Sequence, residues 1–184
     1  METIYPKNKQ EWRSWLESNH REKQSVWVVF YTKKSGKPTL SWSEAVDEAL
    51  CFGWIDSTKK KVDTDCAIQF FSKRKPTSTW SKINKEKTVR LIESGLMTKA
   101  GFESIEIAKQ NGSWGLLDSV EALKIPEDLE SLFRQHKGSK RYFNSMSKTN
   151  KKAILHRIAL AKRPETRRKR IAEAVELINL EMKK

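Results

Sequence analysis

Between Lys59 and Arg90 the chain gathers ten Lys or Arg residues against Asp63, Asp65 and Glu86, with Trp54, Phe70, Phe71 and Trp80 woven around them. Cations interleaved with aromatic faces suit a surface that holds an anionic or planar ligand. The sharpest constellation is Arg74, Lys75, Ser78, Ser81, Lys82 and Lys85. There a Pro-containing loop enters a helix at Ser81, and the open backbone N–H groups of a helix start, flanked by ammonium groups, attract phosphates and carboxylates. No Gly-rich phosphate loop precedes it, which excludes nucleotide binding of the Walker or Rossmann type. A second receptor of the same kind is Pro164-Glu165-Thr166-Arg167-Arg168-Lys169-Arg170. Its four cations crowd the positive end of a helix dipole, an arrangement that costs about 0.3–1 kcal/mol per exposed charge unless an anion answers it. Arg167 and Arg170 are therefore candidate ligand contacts, and internal pairing with Glu44, Asp47 or Glu48 is the alternative.

Asp56 follows Trp54 by two residues, so an extended 53–58 segment turns both to one side. A carboxylate beside an indole can bind a cation, act as an acid or base, or pair structurally with Arg74 or Lys82, and we favour the structural pairing. No histidine lies near it, which leaves Ser- or Cys-type triads without local support. Cys51 falls at the C-terminal end of an expected helix, where the dipole raises a thiol pKa, and reads as a buried, inert cysteine. Cys51 and Cys66 are too few for a disulfide framework, and His20, His136 and His156 are scattered, so no metal site is expected.

The 184 residues fit one domain, with an α+β core over 1–124 and a helical part over 125–184 packed on it. The formal net charge of +14 is concentrated in residues 51–100 and 151–184, with a balanced stretch between them. Two basic regions make one basic face if the fold brings them together; the plainer reading is a solvated, solubilising exterior. No apolar run approaches the roughly 20 residues of a membrane span, and METIYPKNKQEW has no apolar signal core. A cytoplasmic protein is the expectation.

These residues need positioning by a small sheet and helices. Asn8 and Glu11 form a capping-box pattern opening a first helix with Trp12, Trp15 and Leu16 on one face, and Ser41 and Glu44 open a second that Gly53 ends. Ser25–Lys33, rich in β-branched and aromatic residues and apolar on both faces, reads as a covered strand. Trp54–Val62 and Cys66–Arg74 read as two more, joined by a polar turn at Asp63-Thr64-Asp65. From Ser81 helices dominate, with Pro126 at a first helical position, and Ile171, Val175, Ile178 and Met182 form an inward stripe on the last helix. The fold class is α+β with helix in excess, its antiparallel sheet of about three strands lying within 25–74.

The runs EALCFGWIDS (Glu48–Ser57), RKPTSTWSKINK (Arg74–Lys85), GLMTKAG (Gly95–Gly101) and AKRPETRRKRIAEAVE (Ala161–Glu176) resemble the YdeI/OmpD-associated, or OmdA, family of bacteriocin-protection proteins, in the expected order and over nearly the whole chain. The resemblance implies a role in tolerating bacteriocins or cationic antimicrobial peptides and association with an outer-membrane porin. It brings no catalytic residues and no cofactor. The expectation is thus a non-enzymatic binding protein whose basic face uses Trp54, Asp56, Arg74, Trp80, Ser81, Lys82, Lys85, Arg167 and Arg170 to hold an anionic ligand. The rivals are a nucleic-acid binder on the same face, with Trp80 or Phe71 stacking on bases, and an enzyme using Asp56 as general base.

Overall fold

The computed structural model of the protein describes residues 2–182. The chain forms two compact units, the first ending at Trp114 and the second starting at Gly115. The segment 115–124, grouped on sequence grounds with the α+β part, belongs to the second unit.

In the first unit, Asn8 caps helix α1 (Lys9–Asn19) by accepting the Glu11 N–H at 2.9 Å. The Glu11 carboxylate reaches back to the Lys7 N–H at 2.8 Å, one residue beyond the expected cap. Trp12 and Leu16 point inward and are fully buried. Helix α2 (Trp42–Cys51) opens on a complete capping box between Ser41 and Glu44. Among the described residues four strands make one sheet: β1 (Thr3–Ile4), β2 (Ser25–Tyr31), β3 (Trp54–Lys61) and β4 (Cys66–Lys73), in the order β1-β2-β4-β3. The two-residue β1, which carries too little pattern to read in sequence, adds a parallel edge to β2, and the other pairings are antiparallel.

Strands β3 and β4 turn at Asp63, whose carboxylate accepts the N–H groups of Asp65 and Cys66, both at 2.7 Å. Between Asp56 and Lys59 the register slips by one residue, a bulge in β3. Gln69, buried on β4, fills the gap by donating to the Ser57 carbonyl at 3.0 Å and to Asp56 at 3.2 Å. One face of β2 presents Val26 and Val28 to the core, while on the other lysine ammonium groups lie over aromatic rings, Lys60 over Trp27 and Lys37 over Tyr31. Part of the basic run is thereby used to cover an apolar sheet face. Helices α3 (Lys82–Glu93) and α4 (Lys99–Gln110) complete the unit.

The second unit is helical: α5 (Asp118–Glu121), α6 (Glu127–Gln135), α7 (Ser139–Ser145), α8 (Lys148–Ala159) and α9 (Pro164–Glu181). Pro126 stands at the cap of α6, one position earlier than its expected first-turn place. Its core joins Leu129, Phe133, Phe143, Leu155 and Ile158 to Ile171, Val175 and Ile178 of α9. Ala174 belongs to that buried face, whereas Met182 lies at the helix end, 39% exposed. The architecture is α+β and helix-rich, with an all-helical C-terminal half.

Candidate functional site

The indoles expected at a ligand surface are interior. Trp54 is 0% and Trp80 1% exposed, because each fills the first unit's core with an area that no smaller side chain could supply. Trp54 also donates to the His20 carbonyl at 3.3 Å and meets Trp15 edge-on. Phe71 is likewise fully buried, so neither ring assigned to base stacking offers a face to a nucleotide. The interleaving of cations and aromatics is present but turned inward: the Arg74 guanidinium stacks on Trp80 at 3.7 Å, Trp80 packs against Trp114 at 4.9 Å, and Lys85 lies over Trp114 at 5.2 Å.

Asp56 is a bonded member of the sheet. Its Oδ2 accepts the Trp42 indole N–H at 2.9 Å and the Gln69 amide at 3.2 Å. The expected hydrogen-bonded pairing of Asp56 with Arg74 or Lys82 is not formed; Trp42 and Gln69 take that place. Ser81 caps α3 by accepting the Asn84 N–H at 3.2 Å, and Lys82 pairs with Glu86 one turn on at 3.6 Å.

Arg167 and Arg170, in the second unit, have internal partners. Arg167 clasps Asp128 with Nε and Nη2 at 2.5 and 2.9 Å, and Arg170 donates to the Arg157 carbonyl near the end of α8 at 2.5 Å. The hydrogen bonds from Arg167 hold the Asp128 carboxyl below its usual range. The acids proposed as their partners are occupied in the first unit. Glu44 completes its capping box, Asp47 binds Lys87 and Arg90, and Glu48, fully buried, binds Arg13 at 2.7 Å and Lys9 at 3.1 Å.

Of the expected residues, Arg167 borders a small cavity of about 100 Å³ in the second unit and Arg74 lines a larger one in the first. An open cleft of about 460 Å³ lies in the first unit where α1 ends, α2 turns into β3, β4 leaves the sheet and α4 begins. That volume falls in the range of small-molecule sites. Arg21, Lys73, Arg74 and Lys99 bring four cations to its wall, with His20 beside them and Glu103 the acid among the described lining residues. Phe52, Pro76 and Ile107 supply apolar wall.

Backbone geometry assembles this place. Gly53 turns the chain at a φ of 70°, a conformation that favours glycine, and a Cβ there would come within 2.9 Å of the Ala100 carbonyl oxygen. Thr98 ties the start of α4 to the open end of α2, its N–H and hydroxyl both donating to the Cys51 carbonyl at 3.1 and 2.6 Å. Gly101 lets the two helices touch, since a Cβ would collide with that same carbonyl and with Met97. The Arg74 N–H extends the sheet by donating to the Gly53 carbonyl at 2.9 Å, and Lys73 Nζ donates to the Arg21 carbonyl at 2.5 Å. The loop beyond is fastened where Asn111 and Ser113 donate to the Pro76 carbonyl at 2.8 and 3.2 Å.

Arg74 is the unusual member. Its Nη1 donates to the Thr79 carbonyl at 2.8 Å, while Nε and Nη2 are buried with no hydrogen-bond partner among the described residues. Burial pushes the guanidinium down to about 10, against the opposing pull of the Asp56 charge. Near it the Trp80 indole N–H is also buried and unpaired. Cys51 behaves as expected of an inert thiol: it is fully buried, and burial with the nearby Glu48 charge raises its pKa to about 11. Sequence reading missed His20, Arg21, Lys73, Lys99 and Glu103 as a group. They come from three separate segments, and the one local signal was that Lys73 and Lys99 sit in or beside runs already marked as basic or family-like.

The described residues hold no cluster of three or more His, Cys, Asp or Glu fit to bind a metal, and none of their helices is long and apolar enough to cross a membrane. Fold and cleft define a helix-rich α+β protein with a basic pocket in its sheet-bearing unit. The chain belongs to the family described as a domain of unknown function, DUF8412, whose profile matches residues 4–104. Residues 122–179 match the family described as "Bacteriocin-protection, YdeI or OmpD-Associated", OmdA; the resemblance expected over nearly the whole chain is thus found for the last of its four runs, Ala161–Glu176, while the other three lie in the part that matches DUF8412. No curated protein and no solved structure matches the chain.

Proposed function

We propose that the protein is a non-enzymatic binding protein that holds an anionic ligand in the cleft of its first unit and serves tolerance to bacteriocins or antimicrobial peptides. The observation that carries the binding role is the convergence of Arg21, Lys73, Arg74 and Lys99 on one cleft opposed by Glu103. Like charges gathered in a concavity with low-dielectric walls repel one another and focus their field on an incoming anion. The tolerance role rests on the OmdA description of residues 122–179, and an association with a porin of the OmpD kind follows from the same words. The interior position of Trp80 and Phe71 favours a small ligand over a stacked nucleic acid.

Heteronuclear NMR titration with small oxyanions tests this reading. Phosphate, citrate or benzoate at millimolar concentration should shift the amides of residues 20–21, 52–53, 73–75 and 99–104, with affinity falling as salt rises. A spectrum in which none of these anions moves those amides ends the proposal.

A further inference from the structure

The two unpaired nitrogens of Arg74 are not independent. Nε and Nη2 flank the same edge of the guanidinium plane and together make one two-pronged donor, while Nη1 on the other side is held by the Thr79 carbonyl. Stacking on Trp80 at 3.7 Å fixes the plane. The fold has therefore oriented an arginine fork without giving it an acceptor. A fork of this shape matches two coplanar oxygens, the geometry of a carboxylate. Other buried cations in the unit are answered: Arg13 by Glu48 and the Leu96 carbonyl, Lys87 by Asp47 and Ser43.

The rest of the wall describes the remainder of the ligand. Phe52, Pro76 and Ile107 give it apolar surface, and Lys73 and Lys99 add positive charge without a second fork. We propose that the cleft takes a small organic carboxylate, its two oxygens on the Arg74 Nε–Nη2 edge and its hydrocarbon body against Phe52, Pro76 and Ile107. This rests on the anion-binding reading of the same cleft and narrows it from anions in general to apolar monocarboxylates. Both fork nitrogens are buried in the ligand-free protein, so seating a carboxylate on them requires the cleft to open over them, and it completes the hydrogen bonding of a buried cation.

The test compares benzoate, inorganic phosphate and neutral benzamide on the full chain, wild type and Arg74→Lys, by calorimetry and by the Arg74 Nε–Hε resonance. Benzoate should bind, benzamide should not, and the Nε–Hε signal should move downfield with benzoate. Arg74→Lys, which keeps the charge and loses the fork, should weaken benzoate about tenfold or more while changing phosphate little. If Arg74→Lys fails to fold, the wild-type Nε–Hε titration decides alone. Phosphate binding without benzoate binding overturns the carboxylate and leaves the basic cleft standing. Benzoate that binds without moving Nε–Hε, or binds Arg74→Lys as well as wild type, overturns the fork. Silence from both anions overturns the cleft reading too.

Discussion

Replacing Glu48 by Gln should destabilise the first unit by about 3 kcal/mol. Removing one partner of a buried ion pair generally costs about 3–5 kcal/mol, because the other charge is left without compensation. The lower end applies here because the Glu48 side chain is 0% exposed while Arg13 is 19% and Lys9 45% exposed, so both cations retain some water once the anion has gone. Glutamine keeps the volume and one acceptor oxygen for Arg13, which isolates loss of charge from creation of a cavity. Spread over a unit of about this size, the loss should lower the midpoint of thermal unfolding by roughly 10–20 °C. Urea unfolding followed by tryptophan fluorescence gives the free energy directly, since Trp12 and Trp54 lie in the same core cluster. The double variant Glu48→Leu with Arg13→Met should lose much less than the two single variants added together, because an apolar pair leaves no buried charge. Its residual cost is the Leu96 carbonyl, which now accepts from Arg13 at 3.1 Å. A loss under about 1 kcal/mol for Glu48→Gln, or an additive double variant, would refute the claim that this pair is a coupled buried interaction.

Gly101→Ala should destabilise by about 1–3 kcal/mol, measured by denaturant midpoint, although alanine is the better helix former, because the added methyl meets the Cys51 carbonyl and Met97. The Cys51 thiol, raised from 9.0 to about 11, favours the fold below pH 9, and that contribution should fade as pH climbs from about 9 to 11. Cys51→Ala should remove this slope from urea titrations, and native-state thiol labelling should reach half-buried Cys66 first. Asp128, held low by Arg167, stabilises the second unit above the ordinary carboxylate pKa of 3.8 and ceases to do so as pH falls through its depressed value. In Arg167→Ala the Asp128 carboxyl should titrate nearer 3.8 by carbon-detected NMR, and acid unfolding of that unit should begin at higher pH.

Local chemistry was legible in the chain because it depends on neighbours in sequence. The caps at Asn8 and Ser41 each need one side chain and an N–H three residues on, and both are present. Strands Ser25–Tyr31, Trp54–Lys61 and Cys66–Lys73, the Asp63 turn, the inert Cys51 and the helical C-terminal half follow from the same local rules. Which side a residue faces was another matter. Trp54 and Trp80 share the composition of a ligand surface, yet the core needed their area more than the exterior could use it, and tertiary packing turned them inward. Arg167 reads as an unanswered cation at a helix start until Asp128, thirty-nine residues earlier, is folded against it. The cleft depends on chain return in the same way: Arg21, Lys73 and Lys99 are ordinary surface cations in sequence and become one electrostatic site when α1, β4 and α4 meet. Sequence determined the caps, strands, turns and charge excess, whose causes span a few residues. Tertiary structure alone decided which charges found partners and left the Arg74 fork without an acceptor, because that outcome is set by groups distant along the chain.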